Sequence, residues 1–289
     1  MVTKKAKATT APLARPTLLA PIALVTGASS GIGEELAHCF ARAGHDVILV
    51  ARSADKLKAL AYVLKADYGV TAQVEAADLA MPGAAAQLHT RISARLARQR
   101  RSIAVLVNCA GVLSQGAFTG MTAATHQQMI DLNISGLTAM LSAFVPDMVA
   151  QGMQGRAGHI LNVASIAAFQ PIPMLATYAA GKAYVLSLSE SLSEELKGTG
   201  VTVTALCPGI TATQMLTSAA GANDQLSRLP GFLIGDVKHV AQQAFDACLR
   251  GDAICVPGVV NRIGMLASRA TPKWLVRTVG GLVGRKSLE

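Results

Sequence analysis

The feature that most constrains the fold is a glycine-rich run between a predicted strand and a predicted helix. The apolar segment 22–26 leads into Thr26-Gly27-Ala28-Ser29-Ser30-Gly31-Ile32-Gly33, and a helical pattern over 31–43 follows. Glycines at such a turn let the backbone approach a pyrophosphate and aim N–H groups at it. The spacing G-x-x-x-G-x-G differs from the common G-x-G-x-x-G, and a tight turn without a ligand is the structural alternative. The position between strand and helix favours a dinucleotide site.

Strand-like apolar runs and helical patterns alternate along the chain. Strands are predicted near 22–26, 46–51, 71–76, 103–107, 158–164, 201–206 and 253–256. Helices are predicted near 31–43, 54–68, 82–99, 123–150, 176–197 and 236–250. This alternation predicts an α/β fold, a doubly wound parallel sheet of Rossmann type. Aromatic residues make up only 4% of the chain, so the core must consist of smaller aliphatic side chains, which suits buried parallel strands.

The chain divides into one predicted domain and two unusual ends. Residues 19–257 form the domain, and 210–235 within it are predicted to be a lid over the substrate site. Residues 1–18 are predicted to be a flexible basic tail, and 258–289 a basic amphipathic extension in helices.

The net charge of +9 is confined to those ends. Residues 1–33 and 253–289 hold ten of the 26 basic side chains and one of the 17 acidic ones, which leaves 16 of each between them. A neutral body argues against a nucleic-acid groove across the domain.

Two interpretations of the C-terminal extension stay open. Arg262, Arg269, Lys273 and Arg277 fall on one stripe at helical spacing, next to apolar residues. Such a segment either lies on an anionic membrane surface or packs against another subunit with a solvated basic edge. No stretch is expected to be apolar enough to span a bilayer, so the predicted location is cytoplasmic, with peripheral membrane contact as the alternative.

The cysteines indicate neither a disulfide framework nor a metal site. The five residues Cys39, Cys109, Cys207, Cys248 and Cys255 show no C-x-x-C spacing and no histidine at ligand spacing. We interpret them as reduced thiols of a cytosolic protein.

The end of the second predicted strand bears on the choice of cofactor. An acidic residue there would bind the ribose 2′-hydroxyl of NAD, but none occurs between Val47 and Ala54. Arg52 can instead pair with a 2′-phosphate, and Ser29, Ser30 or Ser53 can add hydrogen bonds. The sequence therefore favours NADP over NAD, although an arginine after a strand is often only a solvated charge.

Tyr178 and Lys182 form the candidate catalytic pair. They are four residues apart and so share one helix face. A nearby ammonium is expected to lower the tyrosine pKa, which would make Tyr178 a proton donor and acceptor. Ser165, thirteen residues upstream, follows the fifth predicted strand.

With these motifs the chain resembles the short-chain dehydrogenase/reductase family from about 23 to 256. The resemblance is carried by T-G-A-S-S-G-I-G, Asp78, N-C-A-G at 108–111, Asn133, Ser165, Tyr178-x-x-x-Lys182 and Pro208-Gly209, which follow the family's order and spacing. Cys109 is a departure, because the family more often has a second asparagine there. A covalent role for Cys109 or Cys207 is not expected, since small buried thiols fit the same positions.

The resemblance implies roles for individual residues. Ser165 would hold the substrate oxygen, Tyr178 would transfer the proton, and Lys182 would bind the nicotinamide ribose while tuning Tyr178. Asn133 would position a water that links Lys182 to solvent. The remaining cofactor contacts implied are Gly27, Ser29, Ser30, Gly31, Ile32, Gly33, Arg52, Asp78, Leu79, Asn108, Ala110, Gly111, Pro208, Gly209, Ile210, Thr211 and Thr213.

The predicted function is therefore NADP(H)-dependent interconversion of a carbonyl and a secondary alcohol on a small, largely apolar substrate. The predicted lid is rich in apolar residues and carries charge only at Asp224 and Arg228, which favours an apolar ketone or alcohol. The family resemblance implies a homo-dimer or homo-tetramer. The alternative is a catalytically silent dinucleotide-binding scaffold or sensor, which would have no need of all four residues Asn133, Ser165, Tyr178 and Lys182.

Overall fold

A computed structural model of the chain describes residues 19–211, 235–259 and 261–262. The predicted basic tail, Thr213, nearly all of the predicted lid and the extension from 263 onward lie outside the described residues. The proposals for these segments, for the oligomer and for membrane contact stay predictions.

The seven strands form one parallel sheet, as the alternating pattern predicted. They are β1 (Ile22–Thr26), β2 (Asp46–Ala51), β3 (Ala72–Ala76), β4 (Ile103–Asn108), β5 (Gly158–Val163), β6 (Val201–Leu206) and β7 (Ile254–Cys255). Their order across the sheet is β3-β2-β1-β4-β5-β6-β7, and every neighbouring pair is parallel. The chain crosses from β3 to β4 over β2 and β1, so the sheet has a point at which the order reverses.

Helices cover both faces of this sheet. They are α1 (Gly31–Arg42), α2 (Ala54–Tyr68), α3 (Ala84–Arg98), α4 (Ala123–Ile130), α5 (Leu137–Gly152), α6 (Ala176–Glu195) and α7 (Val237–Arg250). Side chains of β1 alternate between two cores: Ala23 and Val25 pack with α1, α2 and α7, while Ile22 and Leu24 pack with α3, α5 and α6. The doubly wound α/β prediction is confirmed.

The predicted helix 123–150 needs a correction, because a π-helical turn at Asp131–Gly136 separates α4 from α5. Gly136 ends this turn where the helix lies against the loop after β3. A Cβ at this glycine would lie 2.5 Å from the carbonyl oxygen of Leu79, so the helix can approach the loop after β3 only with glycine here. The other predicted element bounds fall within two residues of those observed.

The expectation that no stretch could span a bilayer is also wrong on composition. Within the part of the chain that the structure describes, the helical stretch Ala123–Gly152 is long enough and contains an 18-residue window with a mean hydropathy of 1.3. Met140, Leu141 and Phe144 of this stretch are buried in the core beneath the sheet. Packing of these residues against the sheet accounts for part of the apolar composition.

Candidate active site

A cleft of about 490 Å³ lies at the carboxyl ends of the central strands. In open parallel sheets, ligands bind at this edge, near the point where the strand order reverses. The cleft is lined by the predicted site residues Gly27, Ser29, Ser30, Gly31, Ile32, Arg52, Asp78, Leu79, Ala110, Gly111, Ser165, Tyr178, Lys182, Pro208, Gly209, Ile210 and Thr211. Three predicted site residues lie outside this lining and support it from behind: Gly33, Asn108 and Asn133.

The turn after β1 is fixed against the end of β4. The hydroxyl of Thr26 accepts hydrogen bonds from the N–H groups of Cys109 (3.0 Å) and Ala110 (3.1 Å), and it donates to the carbonyl of Val107 at 3.1 Å. Gly27 has φ +67°, and a Cβ there would lie 2.9 Å from backbone atoms of Ala110. The role of Thr26 was missed in the sequence, where only its place before the glycine hints at it.

The glycine turn fits a dinucleotide. Gly31 opens α1 with φ +61°, and a Cβ at Gly33 would collide with the carbonyl of Gly27. Gly33 therefore serves close packing of α1 onto the turn, whereas Gly27 and Gly31 line the cleft. Backbone N–H groups at the start of a helix, with no side chain between them and the cleft, suit a pyrophosphate.

Arg52 lies at the rim of the same cleft, next to Ser53. Its side chain is exposed. The nearest acid in the sequence, Asp55, pairs with Lys58 at 3.3 Å. Asp78 lines the cleft farther along, and its carboxylate accepts a hydrogen bond from the N–H of Ala80 at 3.1 Å. A basic side chain, rather than an acidic one, thus follows β2.

Ser165, Tyr178 and Lys182 come together where β5 ends and α6 begins. Ser165 caps the short 3-10 helix Ile166–Phe169 and accepts a hydrogen bond from the N–H of Ala167 at 3.1 Å. Its hydroxyl lies close enough to Tyr178 to lower the pKa of that phenol. The Lys182 ammonium donates to the carbonyl of Val163 at 2.7 Å and lies 5.7 Å from the centroid of the Tyr178 ring.

Burial dominates the acid–base behaviour of this pair. It raises the pKa of Tyr178 to about 12, and the nearby Ser165 hydroxyl opposes that shift only in part. Burial also lowers the pKa of Lys182 to about 8. The expectation that Lys182 lowers the tyrosine pKa is therefore wrong for this structure. Tyr178 is a neutral phenol at pH 7 and has a proton to give.

Asn133 supports the loop after β4 through its side-chain amide. Its Oδ1 accepts from the N–H of Val112 at 2.9 Å, and its Nδ2 donates to the carbonyl of Val112 at 2.8 Å. A Cβ at Gly111 would lie 3.1 Å from Asn133 Oδ1 and 3.7 Å from Lys182 Nζ. Asn133 is thus close to Lys182, but its amide is engaged by the backbone. The predicted link from Lys182 through a water stays a prediction.

Asn108 belongs to a buried polar chain beneath the cleft. Its Nδ2 donates to Asn162 Oδ1 at 2.9 Å, and Asn162 Nδ2 donates to Ser189 Oγ at 3.0 Å. Ser189 in turn donates to the carbonyl of Val185 at 2.7 Å. These bonds join β4, β5 and α6 across the sheet. The sequence offered no indication of Asn162 or Ser189.

The loop after β6 forms the far wall of the cleft. The carbonyl of Pro208 accepts from the N–H of Ile166 at 3.0 Å, which ties this loop to the residue after Ser165. Thr211 Oγ1 donates to the carbonyl of Gly209 at 3.0 Å, and the N–H of Gly235 donates to the carbonyl of Ile210 at 2.8 Å.

The thiols near the site are not activated. Burial raises the pKa of both Cys109 and Cys207 to about 12, so both are neutral at physiological pH and unsuited to nucleophilic attack. Among the described residues, no group of three or more histidine, cysteine or acidic side chains is placed to hold a metal ion.

Comparison with known proteins agrees with this geometry. A family model described as short chain dehydrogenase matches residues 21–224. An uncharacterized oxidoreductase of Staphylococcus haemolyticus is 35% identical over 200 residues, which is 67% of this chain and 79% of that protein.

Solved structures are similar over most of the chain. A short-chain dehydrogenase from Sphingobium yanoikuyae, in complex with NADPH, is 34% identical with a TM-score of 0.75 over 86% of this chain and 93% of that one. A bulky-bulky ketone specific alcohol dehydrogenase from Comamonas testosteroni is 32% identical with a TM-score of 0.71 over 86% and 91%. The chain belongs to the short-chain dehydrogenase/reductase family of oxidoreductases.

Proposed function

We propose that the protein is an NADP(H)-dependent oxidoreductase that interconverts a carbonyl and a secondary alcohol on a small, largely apolar substrate. One observation carries the proposal. The cleft lined by the glycine turn is also lined by Ser165, Tyr178 and Lys182. Ser165 and Tyr178 both line the cleft, the Ser165 hydroxyl is close enough to lower the pKa of Tyr178, and a buried ammonium lies beside the phenol ring.

The nicotinamide, when bound, supplies or accepts the hydride. Ser165 holds the substrate oxygen next to Tyr178, which donates a proton to that oxygen during reduction and removes it during oxidation. Because the pKa of Tyr178 is raised to about 12, the phenol is protonated at neutral pH and holds the proton that reduction of a carbonyl requires. Lys182, anchored on the Val163 carbonyl, keeps a positive charge beside the ring below its pKa of about 8.

Arg52 supports the choice of NADP. It follows β2, lines the rim of the cleft beside Ser29, Ser30 and Ser53, and is not neutralised by Asp55, which pairs with Lys58. A guanidinium binds a 2′-phosphate well, whereas no carboxylate follows β2 to accept from a ribose 2′-hydroxyl. The similar enzyme from Sphingobium yanoikuyae was solved with NADPH.

The lining of the cleft supports an apolar substrate. The side chains Val112, Leu113, Ile166, Ile172 and Leu175 line it together with Tyr178. Gln115 is the uncharged polar exception in this part of the lining. The similar alcohol dehydrogenase from Comamonas testosteroni is specific for bulky-bulky ketones. We therefore propose a ketone with apolar substituents, or the corresponding alcohol.

The proposal is tested with Tyr178→Phe, which removes the phenol proton and leaves the ring. NADPH consumption over a panel of ketones should fall by at least about 100-fold, the low end for losing general acid catalysis, while NADPH binding measured by cofactor fluorescence persists. Tyr184→Phe is the matched control, because Tyr184 is on the same helix but its hydroxyl bonds to Thr138 at 2.9 Å. Turnover of Tyr178→Phe near that of the wild type would contradict the assigned role. A wild type that binds NADPH but reduces no ketone would favour the silent scaffold.

A further inference from the structure

The chain beyond β7 turns back onto the wall of the active-site cleft. After Gly258, which has φ +85°, the N–H of Arg262 donates to the carbonyl of Gly258 at 3.1 Å and closes one helical turn. The Arg262 guanidinium donates to the carbonyl of Val256 at 2.9 Å. Asn261 lies in this turn, and its Nδ2 donates to the carbonyl of Pro257 at 2.8 Å. The start of the C-terminal extension is thus tied to the end of β7.

The side chain of Asn261 fills the space that a side chain at Gly209 would need. A Cβ at Gly209 would lie 2.6 Å from Asn261 Nδ2, 2.7 Å from its Oδ1 and 2.9 Å from its Cγ. These are the three nearest heavy atoms to that position. Gly209 is not among the glycines with positive φ, so its backbone would accept alanine. The close contact that a side chain at 209 would meet therefore comes from Asn261.

The position of Gly209 matters for the site. Gly209 lines the cleft between Pro208 and Ile210, and the Pro208 carbonyl is bonded to the N–H of Ile166, directly after Ser165. Glycine has more backbone freedom than any other residue. The backbone at Gly209 therefore needs a neighbouring side chain to hold it in one conformation. Asn261 supplies this restriction while remaining outside the lining of the cleft.

We propose that Asn261 is a positioning residue that fixes the Pro208–Thr211 wall of the cofactor cleft through its contact with Gly209. The inference rests on the proposed function, because the wall acts on catalysis only if the cleft binds the cofactor. By this proposal, the first turn of the C-terminal extension helps to shape the active site. Asn261 acts through Gly209 and touches neither cofactor nor substrate.

A double-mutant cycle tests the proposal with four full-length proteins: wild type, Asn261→Ala, Gly209→Ala and the double variant. Asn261→Ala releases the wall, and Gly209→Ala displaces the Asn261 side chain from its bond to Pro257. Each single change should raise the Kd for NADPH by roughly fivefold to tenfold, within the range of coupled neighbours. In the Asn261→Ala background, Gly209→Ala should add less than about twofold, because the obstructing side chain is gone.

If the two substitutions changed the free energy of NADPH binding additively, the proposal would be overturned, because Gly209 would then act on the cofactor without Asn261. An unchanged Kd in Asn261→Ala would overturn it as well, and so would a lower Tm with a wild-type Kd, which marks a purely structural contact. Should Asn261→Ala fail to fold by far-UV circular dichroism, Asn261→Asp replaces it. That change keeps the size but sets a carboxylate against the Pro257 carbonyl, and it should raise the Kd in the same direction.

Val259→Ala is the matched control in the same turn. Val259 is 72% exposed, so its truncation should leave the Kd for NADPH unchanged. The outcomes separate the two proposals. A wild type that binds NADPH without reducing any ketone contradicts the proposed function, and the cycle of Kd values still decides the role of Asn261. A wild type that binds neither NADPH nor NADH overturns both.

Discussion

Arg52 is the residue that should distinguish the two nicotinamide cofactors. Arg52→Ala removes a guanidinium from the rim of the cleft, where it would bind a 2′-phosphate that NADH lacks. We expect NADPH binding to weaken by about 1.5–3 kcal/mol, the loss of a charge-assisted hydrogen bond, or roughly 10- to 100-fold in Kd. NADH binding should change little.

Fluorescence titration of both cofactors measures the difference. Lys65→Ala is the control for a general loss of positive charge, because Lys65 is an exposed cation in the last turn of α2. If Arg52→Ala weakens NADPH and NADH equally, the assignment to NADP is wrong.

Tyr178 and Lys182 show what the spacing of residues in the sequence can and cannot predict. Their separation of four residues correctly placed both on one helix face, with the ammonium 5.7 Å from the ring centroid. The spacing could not predict that both would be buried, or that Lys182 would bond to the Val163 carbonyl. Burial penalises the charged form of each group, so the pKa of Tyr178 moves up and that of Lys182 moves down.

Among the elements, the helical stretch from α4 to α5 departs most from its sequence pattern. Apolar residues at helical spacing predicted one continuous helix, and its outer bounds are nearly correct. The π-helical turn at Asp131–Gly136 was not predictable, because no local residue pattern marks it. At its last residue, Gly136, the helix approaches the Leu79 carbonyl, which comes from another part of the chain. Such turns are frequent at functional sites, and this one carries Asn133 to its two hydrogen bonds with Val112.

Gly136→Ala should therefore damage this element. The backbone at Gly136 is right-handed helical (φ −62°), so alanine is allowed there, but its Cβ would meet the Leu79 carbonyl oxygen at 2.5 Å and that of Asp131 at 3.2 Å. Neither backbone atom can rotate away. We expect a loss of about 1–3 kcal/mol in the free energy of unfolding, typical of overpacking. NADPH binding should also weaken, because Leu79 lines the cleft.

Urea unfolding and cofactor titration measure the two effects. Gly120→Ala is the control, since the nearest atom to a Cβ at Gly120 is 4.0 Å away, and it should stay within about 0.5 kcal/mol of the wild type. Equal stability of the two variants would show that the helix can shift away from Leu79 at no cost.

For the whole molecule, the strand–helix alternation was sufficient to predict a doubly wound parallel sheet. A repeating local pattern specifies such a fold because right-handed crossovers leave few arrangements of the strands. Contacts between distant segments were not predictable. The contact of Asn261 with Gly209 and the chain Asn108–Asn162–Ser189 join residues far apart in sequence, and no local pattern marks them.

Burial of the cysteine thiols makes the stability of the molecule sensitive to alkaline pH. Cys207 and Cys248 are fully buried, and burial raises the pKa of each thiol from 9.0 to about 12. Above pH 9 the unfolded chain releases thiol protons that the folded chain keeps. The folded state then binds more protons, so the free energy of unfolding falls as pH rises from about 9 toward 12. Each thiol contributes up to about 1.4 kcal/mol per pH unit.

Lys182 acts in the opposite direction. Its pKa is lowered from 10.5 to about 8, so between these values the unfolded chain binds the extra proton and stability rises with pH. The rise in the free energy of unfolding from this one lysine offsets the fall from one of the two thiols, and only up to about pH 10.5. The other cysteines, Cys39, Cys109 and Cys255, shift in the same direction as the two thiols. We therefore expect a net loss of stability above pH 9 that steepens above about pH 10.5.

Urea unfolding at pH 8, 9, 10 and 11, with a reductant present, measures this dependence. Cys248→Ala should lower stability at pH 8 through the lost packing, but its free energy of unfolding should fall less steeply above pH 9. The difference in slope should approach about one proton, or 1.4 kcal/mol per pH unit. Parallel curves for the wild type and Cys248→Ala would show that this thiol ionises as readily in the folded chain as in the unfolded one, and that its burial does not set the alkaline limit of the fold.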